Sequence, residues 1–199
     1  IAMGMDISGL NPKLTGDKPV FPSNWDELSE KAQSFYWEIE RDWEEANPGY
    51  YFRANVWSWR PIHMAIYCVT QLFNLDVDED TLDGMGYNSG HGIKDQETCT
   101  KLAEYLEDMM KDMREKDIKQ FGFNMGSWTA RDGSFLELTD EEEDMLNTQY
   151  STDELITDLP VRLGTRKETK KIYPSHTTEV KHVEEFIQFL RHCGGFEVW

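Results

Sequence analysis

The chain has 199 residues, with 38 Asp and Glu against 20 Lys and Arg and a formal net charge of −18. That balance argues against a generic duplex-binding protein, whose affinity rests on clustered cations, and no apolar run reaches the roughly 20 residues of a membrane-spanning helix. Aromatics make up 13% and include seven Trp, so the composition is that of a folded acidic protein, not a disordered one, and the length suggests one domain.

The chain opens irregularly. Ile1 and Ala2 precede Met3-Gly4-Met5-Asp6 and read as a vector remnant ahead of a natural start at Met3, with no secretory leader. Asp6 to Pro22 is rich in Gly, Pro, Asn and Asp, which predicts loop with at most a short strand. An acidic helix is predicted over about 24–46, opened by an Asn24/Glu27 capping box. Trp25, Leu28, Ala32, Phe35, Ile39, Trp43 and Ala46 share one face of it, and Asn47-Pro48-Gly49 stops it. Tyr50 to Arg60 is aromatic and β-prone, so it reads as a strand, with Pro61 at the first position of a second helix. Asp76 to Gly92 reads as a loop.

A third helix is predicted from about Asp95 to Lys116, with Cys99, Leu102, Ala103, Leu106, Met109, Met110 and Met113 on its buried face. Phe121 to Leu138 reads as a hairpin turned at Asp132-Gly133. Thr139 with Glu142 forms a second capping box, and the segment from Thr152 to Ile172 fits an exposed basic hairpin. A last helix begins near Thr177 or Thr178, buries Val180, Val183, Phe186, Ile187 and Leu190, and stops at Gly194-Gly195. Phe196 to Trp199 then form a closing strand.

Chemistry-bearing motifs are sparse. Three cysteines, Cys68, Cys99 and Cys193, form no C-x-x-C pair and read as small core residues in a reducing, cytoplasmic setting. Asp76-Val77-Asp78-Glu79-Asp80 fails the EF-hand template, which needs Gly and Glu where Thr81 and Tyr87 stand. Neither a metalloprotease helix nor a nucleophile elbow is present, so no catalytic residue, metal or cofactor is assigned. Two clusters remain. Arg53, Asn55, Trp57, Trp59 and Arg60 combine guanidinium with indole, which suits a phosphate and a stacked base and equally suits a core. Asn88 and His91, in Asn88-Ser89-Gly90-His91-Gly92, precede a helix and suit either a ligand loop or a tight turn. His176 completes the candidate ligand- or partner-binding set. The acidic run from Glu137 to Asp144 reads as a solvated face, or as a mimic of a phosphate row.

Four segments in order carry a resemblance: Met3-Gly4-Met5-Asp6 with Gly9, Tyr51 through Pro61, Asn88 through Ile93, and Glu185 through Phe196. Together they resemble a family of short uncharacterised bacterial and bacteriophage proteins. Its members pass quickly from the M-G-x-D opening to Y-F-R-x-N-x-W-x-W-R-P, whereas this chain inserts the acidic helix. Ser89 stands where members often carry Asp, which weakens a metal or acid-base role for that loop. The resemblance implies kinship of fold and a phage setting, and it transfers no catalytic residue.

Residues 3–199 are therefore expected to form one α+β domain of four to five helices packed on a small, mainly antiparallel sheet. That sheet gathers the Tyr50 segment, the Phe121 hairpin and the closing strand. The expected function is that of a non-enzymatic acidic binding protein, a phage-type accessory factor that binds or inhibits a host protein with a basic surface. A defence component is one such host target. The alternative is a nucleotide-like small-ligand protein, sequesterer or enzyme, built on the Arg/Trp cluster. No membrane or duplex nucleic acid is expected as partner, and an oligomer is compatible with either reading.

Overall fold

The computed structural model of the chain describes residues 4–130, 139–141, 157–163 and 166–199. Its elements are β1 (Gly4–Gly9), α1 (Glu30–Ala46), β2 (Tyr51–Asn55), α2 (Val56–Phe73), α3 (Glu79–Gly84), α4 (Gln96–Glu115), β3 (Gln120–Ala130), β4 (Thr157–Leu163), β5 (Arg166–Glu179), α5 (Val180–His192) and β6 (Phe196–Val198). The protein is α+β, as its sequence predicts. The strands form two three-stranded sheets, ordered β2-β1-β6 and β3-β5-β4, where the sequence reading gathers them into one. No described helix is long and apolar enough to cross a membrane.

The chain divides into two compact units. Unit I comprises Met5–Arg53, Asp76–Glu104 and Glu185–Trp199; unit II comprises Ile1–Gly4, Ala54–Leu75 and Tyr105–Glu184.

Unit I is built on alternation in short strands. Met5 and Ile7 of β1 are buried, as are Phe52 of β2 and Phe196 and Val198 of β6, so Asp6, Tyr51, Arg53 and Glu197 fall on the opposite face. β1 and β6 are antiparallel, with Ile7 opposite Val198 and Gly9 opposite Phe196. Phe52, Phe186, Phe189 and Phe196 pack with ring centroids between 5.1 and 6.2 Å apart. Edge-to-face and offset pairs of this kind add to the area they bury. Asn47 ends α1 and is buried. Its side chain donates to the carbonyls of Trp43 (2.8 Å) and Thr15 (3.1 Å) and accepts from the Thr15 N–H (2.6 Å), pinning the opening segment. Gly194 and Gly195 follow α5 at φ of +66° and +92°, a left-handed stop that a side chain would strain.

Unit II rests on α2. Trp59, Ile62, Ala65, Ile66 and Val69 are buried on it, with Leu106, Met110 and Met113 of α4, and Phe121 of β3. β3 pairs antiparallel with β5 from Gln120↔Glu179 to Ala130↔Ile172, with a register shift between Phe123 and Trp128. β4 and β5 form an antiparallel hairpin closing at Leu163↔Arg166, as the Thr152–Ile172 segment predicts.

Several elements differ from their sequence signals, each for a local reason. The β-prone run ends at Asn55, not Arg60. Asn55 leaves the strand at ψ 160° and its side chain accepts from the Ser58 N–H at 2.8 Å, capping α2. Trp57, Trp59 and Arg60 therefore lie on a helix, with Pro61 inside it. α1 starts at Glu30, capped by Ser29, while Trp25–Glu27 form a separate 3-10 turn in which the Asn24 side chain makes no cap bond. The Asp76–Gly92 segment holds α3, because the Asp78 carboxylate accepts from both the N–H and the hydroxyl of Thr81 (2.8 and 2.7 Å). β3 pairs with β5, far along the chain, and the second arm of the predicted Phe121–Leu138 hairpin lies outside the described residues. The predicted turn at Asp132-Gly133 and the helix after Asp140 lie outside the described residues. The last helix begins at Val180, since Thr177 to Glu179 stay in β5.

Candidate functional site

The face of the unit I sheet turned away from its core carries a row of polar and aromatic groups. On β2, Tyr51 donates its phenol to Asp6 Oδ1 on β1, and Arg53 Nε lies 3.6 Å from the same oxygen while its side chain stays 66% exposed. Burial first, and then the bond to Asp6 and its negative charge, push the Tyr51 phenol up to about 12. It therefore stays a proton donor at neutral pH.

The row continues across the sheet. The Asp6 backbone exchanges both hydrogen bonds with Trp199 (2.8 and 2.7 Å), and Val198 does the same with Gly90 and His91 (2.8 and 2.9 Å). The glycine loop thus lies alongside β6. Gly90 has φ +74°, and a Cβ there would stand 2.9 Å from the Trp199 indole, so backbone freedom and close approach both demand glycine. Ser89 Oγ donates to the Gly84 carbonyl at 2.7 Å and lies 2.7 Å from His91 Nδ1. A hydroxyl has one proton. With that proton on Gly84, His91 Nδ1 is the donor to Ser89. His91 is consequently not positioned as a base for Ser89. Lys94 closes the row by pairing with Glu197 at 2.5 Å.

The sequence-derived candidates divide. Arg53, Asn88 and His91 belong to unit I, and strand pairing places Arg53 and His91 on one sheet system. Asn55, Trp57, Trp59, Arg60 and His176 belong to unit II. Trp59 is 1% exposed and part of the core, so it offers no ring to a ligand. The Asn55 side chain caps α2. The Arg60 guanidinium sits over the Trp57 ring, 5.1 Å from its centroid, which occupies a face that a base would need. His176 lies on β5 opposite Phe123. Among the described residues no cluster of three or more His, Cys, Asp or Glu could hold a metal. Asp6, Tyr51 and Trp199 escape sequence reasoning. Only strand pairing joins them, although Asp6 and Tyr51 stand in the motifs that carry the family resemblance.

A second surface feature of unit I is α1 itself. Its sequence stripe is only partly buried: Trp43 is buried, together with Tyr36 from outside the stripe, while Phe35 is 60% and Ile39 42% exposed. On another flank Trp37, half exposed, joins Phe21, Trp25 and Tyr36 in an aromatic cluster with centroids 4.8–6.3 Å apart. The same helix carries Glu30, Glu38, Glu40, Asp42, Glu44 and Glu45 against Lys31 and Arg41. Partial burial and the charge of Glu40 raise the Glu44 carboxyl above its ordinary value, a sign of crowded negative charge.

A cleft of about 560 Å³ in unit II is lined by Arg114, Lys119, Glu179, Lys181 and Glu184, among others. It contains none of the candidate residues, and Arg114 is already held there by Glu107 and Glu184. Comparison with family models, curated proteins and solved structures finds no match.

Proposed function

We propose that this protein is a non-enzymatic, acidic binding factor that presents α1 and its aromatic cluster to a basic surface on another protein. The observation that carries this reading is the exposure of Phe35 and Ile39 on a helix holding six carboxylates. In an ordinary surface helix those two residues would lie inward. Apolar anchors supply binding energy and the surrounding acid supplies orientation and rate. With the family resemblance, the partner is a host protein and the chain a phage-type accessory factor that binds or inhibits it.

The test is capture from bacterial lysate with wild type, Phe35→Ser/Ile39→Ser and Glu38→Lys/Asp42→Lys. The expected result is a specific partner that wild type retains, that added salt weakens, and that both double variants lose. No specific partner, or one retained by both variants, refutes the reading.

A second reading is favoured by the Arg53–Asp6–Tyr51 row with His91 beside β6, which supports a small anionic ligand of nucleotide type on the open sheet face. A thermal-shift panel of nucleotides tests it. Binding at 100 times the dissociation constant adds about 2.7 kcal/mol, and Arg53→Ala should abolish that shift. The absence of any shift removes this reading.

A further inference from the structure

Cys99 and Cys193 stand far apart in the chain, and both are wholly buried in unit I. Their side chains lie within interaction range of each other, and the Cys193 thiol donates to the Leu190 carbonyl at 3.5 Å. A side chain one turn away fixes this meeting. Gln96 Nε2 donates to the Leu190 carbonyl at 2.8 Å, and Gln96 Oε1 accepts from the Gly194 N–H at 2.7 Å. The start of α4 is thereby clamped to the end of α5. The left-handed Gly194-Gly195 turn then aims the Gly195 N–H at the sulfurs. A packed interior needs only a small apolar group at each position, whereas here two thiols meet.

We propose that Cys99 and Cys193 are an oxidative modification site: a buried dithiol that a peroxide converts to an intramolecular disulfide, locking the first turns of α4 to the end of α5. Cys193 reacts first, because it adjoins the half-buried Gly194 whereas Cys99 lies within α4; contact with Cys99 and the Gly195 N–H also holds its thiol below the ordinary value, while contact with Cys193 and burial push the Cys99 thiol up. The Cys193 thiolate attacks one peroxide oxygen and the O–O bond breaks. This leaves sulfenic acid on Cys193, and the departing hydroxide takes up the proton that the thiol lost. The Cys99 sulfur then attacks the Cys193 sulfur. The S–S bond forms as the S–O bond breaks, and the second oxygen leaves as water with the Cys99 proton. Each sulfur gives up one electron, and the peroxide is reduced to two waters. Peroxide enters by opening of the chain beside half-exposed Gly194, so the reaction is slower than that of a surface thiol.

Cys68 supplies an internal control, being only half buried. Accessibility alone would make it the first thiol oxidised. The full chain is treated with a small excess of hydrogen peroxide, alkylated in denaturant and mapped by mass spectrometry. The expected product has lost two hydrogens, contains a Cys99–Cys193 peptide pair, keeps Cys68 alkylated and reverts with dithiothreitol. In Cys99→Ser, dimedone should label Cys193; in Cys193→Ser, Cys99 should remain a thiol. If Cys99 and Cys193 both stay alkylatable in wild type, or if the disulfides formed run through Cys68, the proposal is wrong. The wild-type map decides this even if a variant fails to fold.

Discussion

The Tyr51 hydroxyl shows how one contact sets a measurable property. Its phenol titrates near 12 in the folded protein and near 10 in an unfolded chain. The group's contribution to stability is therefore fully present below about pH 10 and is lost as pH rises toward about 12. Urea unfolding at stepped alkaline pH should show this decline, and Tyr51→Phe should flatten it. Thr70 makes an opposite case. Its hydroxyl is buried and finds no hydrogen-bond partner among the described residues, so it bears a desolvation cost without return. Thr70→Val keeps the shape and should raise stability by about 1 kcal/mol, read as a higher urea midpoint. At Gly90, the left-handed backbone and the Trp199 ring both oppose a side chain. Gly90→Ala should cost about 1–3 kcal/mol in thermal unfolding.

Elements are decided by their ends as much as by their periodicity. α4 and α5 are legible because their apolar residues step by three and four and are in fact buried: Cys99, Leu102, Leu106, Met110 and Met113 on one, and Val183, Phe186, Ile187 and Leu190 on the other. α2 is not legible at its start, because Val56, Trp57 and Trp59 have strand propensity and the deciding group is a single amide at Asn55. Asn55→Ala should cost about 1 kcal/mol and fray the first turn, lowering far-UV helicity there. α1 separates its buried residues from its exposed ones. Trp43→Ala, in the core, should cost about 3–5 kcal/mol, whereas Phe35→Ser and Ile39→Ser should each change stability by less than about 0.5 kcal/mol. Equal losses at all three positions would mean that the outer flank of α1 is packed.

At the scale of the whole molecule, class was readable and long-range pairing was not. Helical stripes and short β-rich runs indicate α+β. The two sheets depend on β1 meeting β6 and β3 meeting β5, contacts between distant segments that leave no local pattern. The candidate site follows the same division. Arg53 and His91 could be named as chemically able residues, but only the sheet joins them through Asp6 and the Trp199 backbone. Trp57 and Trp59 look equivalent in sequence, yet one is 61% exposed and the other fills the core, because two steps along a helix turn to another face. The net charge of −18 was legible from the outset. In the proposed binding role its use depends on apolar anchors standing among the carboxylates of α1, and that placement is a property of the fold. A photo-crosslinking amino acid placed at Phe35 and, separately, at exposed Glu104 of α4, tests the claim most directly in bacterial cells. The account predicts one discrete protein adduct from position 35 and none from 104. No adduct at 35, or the same adducts from both positions, would contradict it.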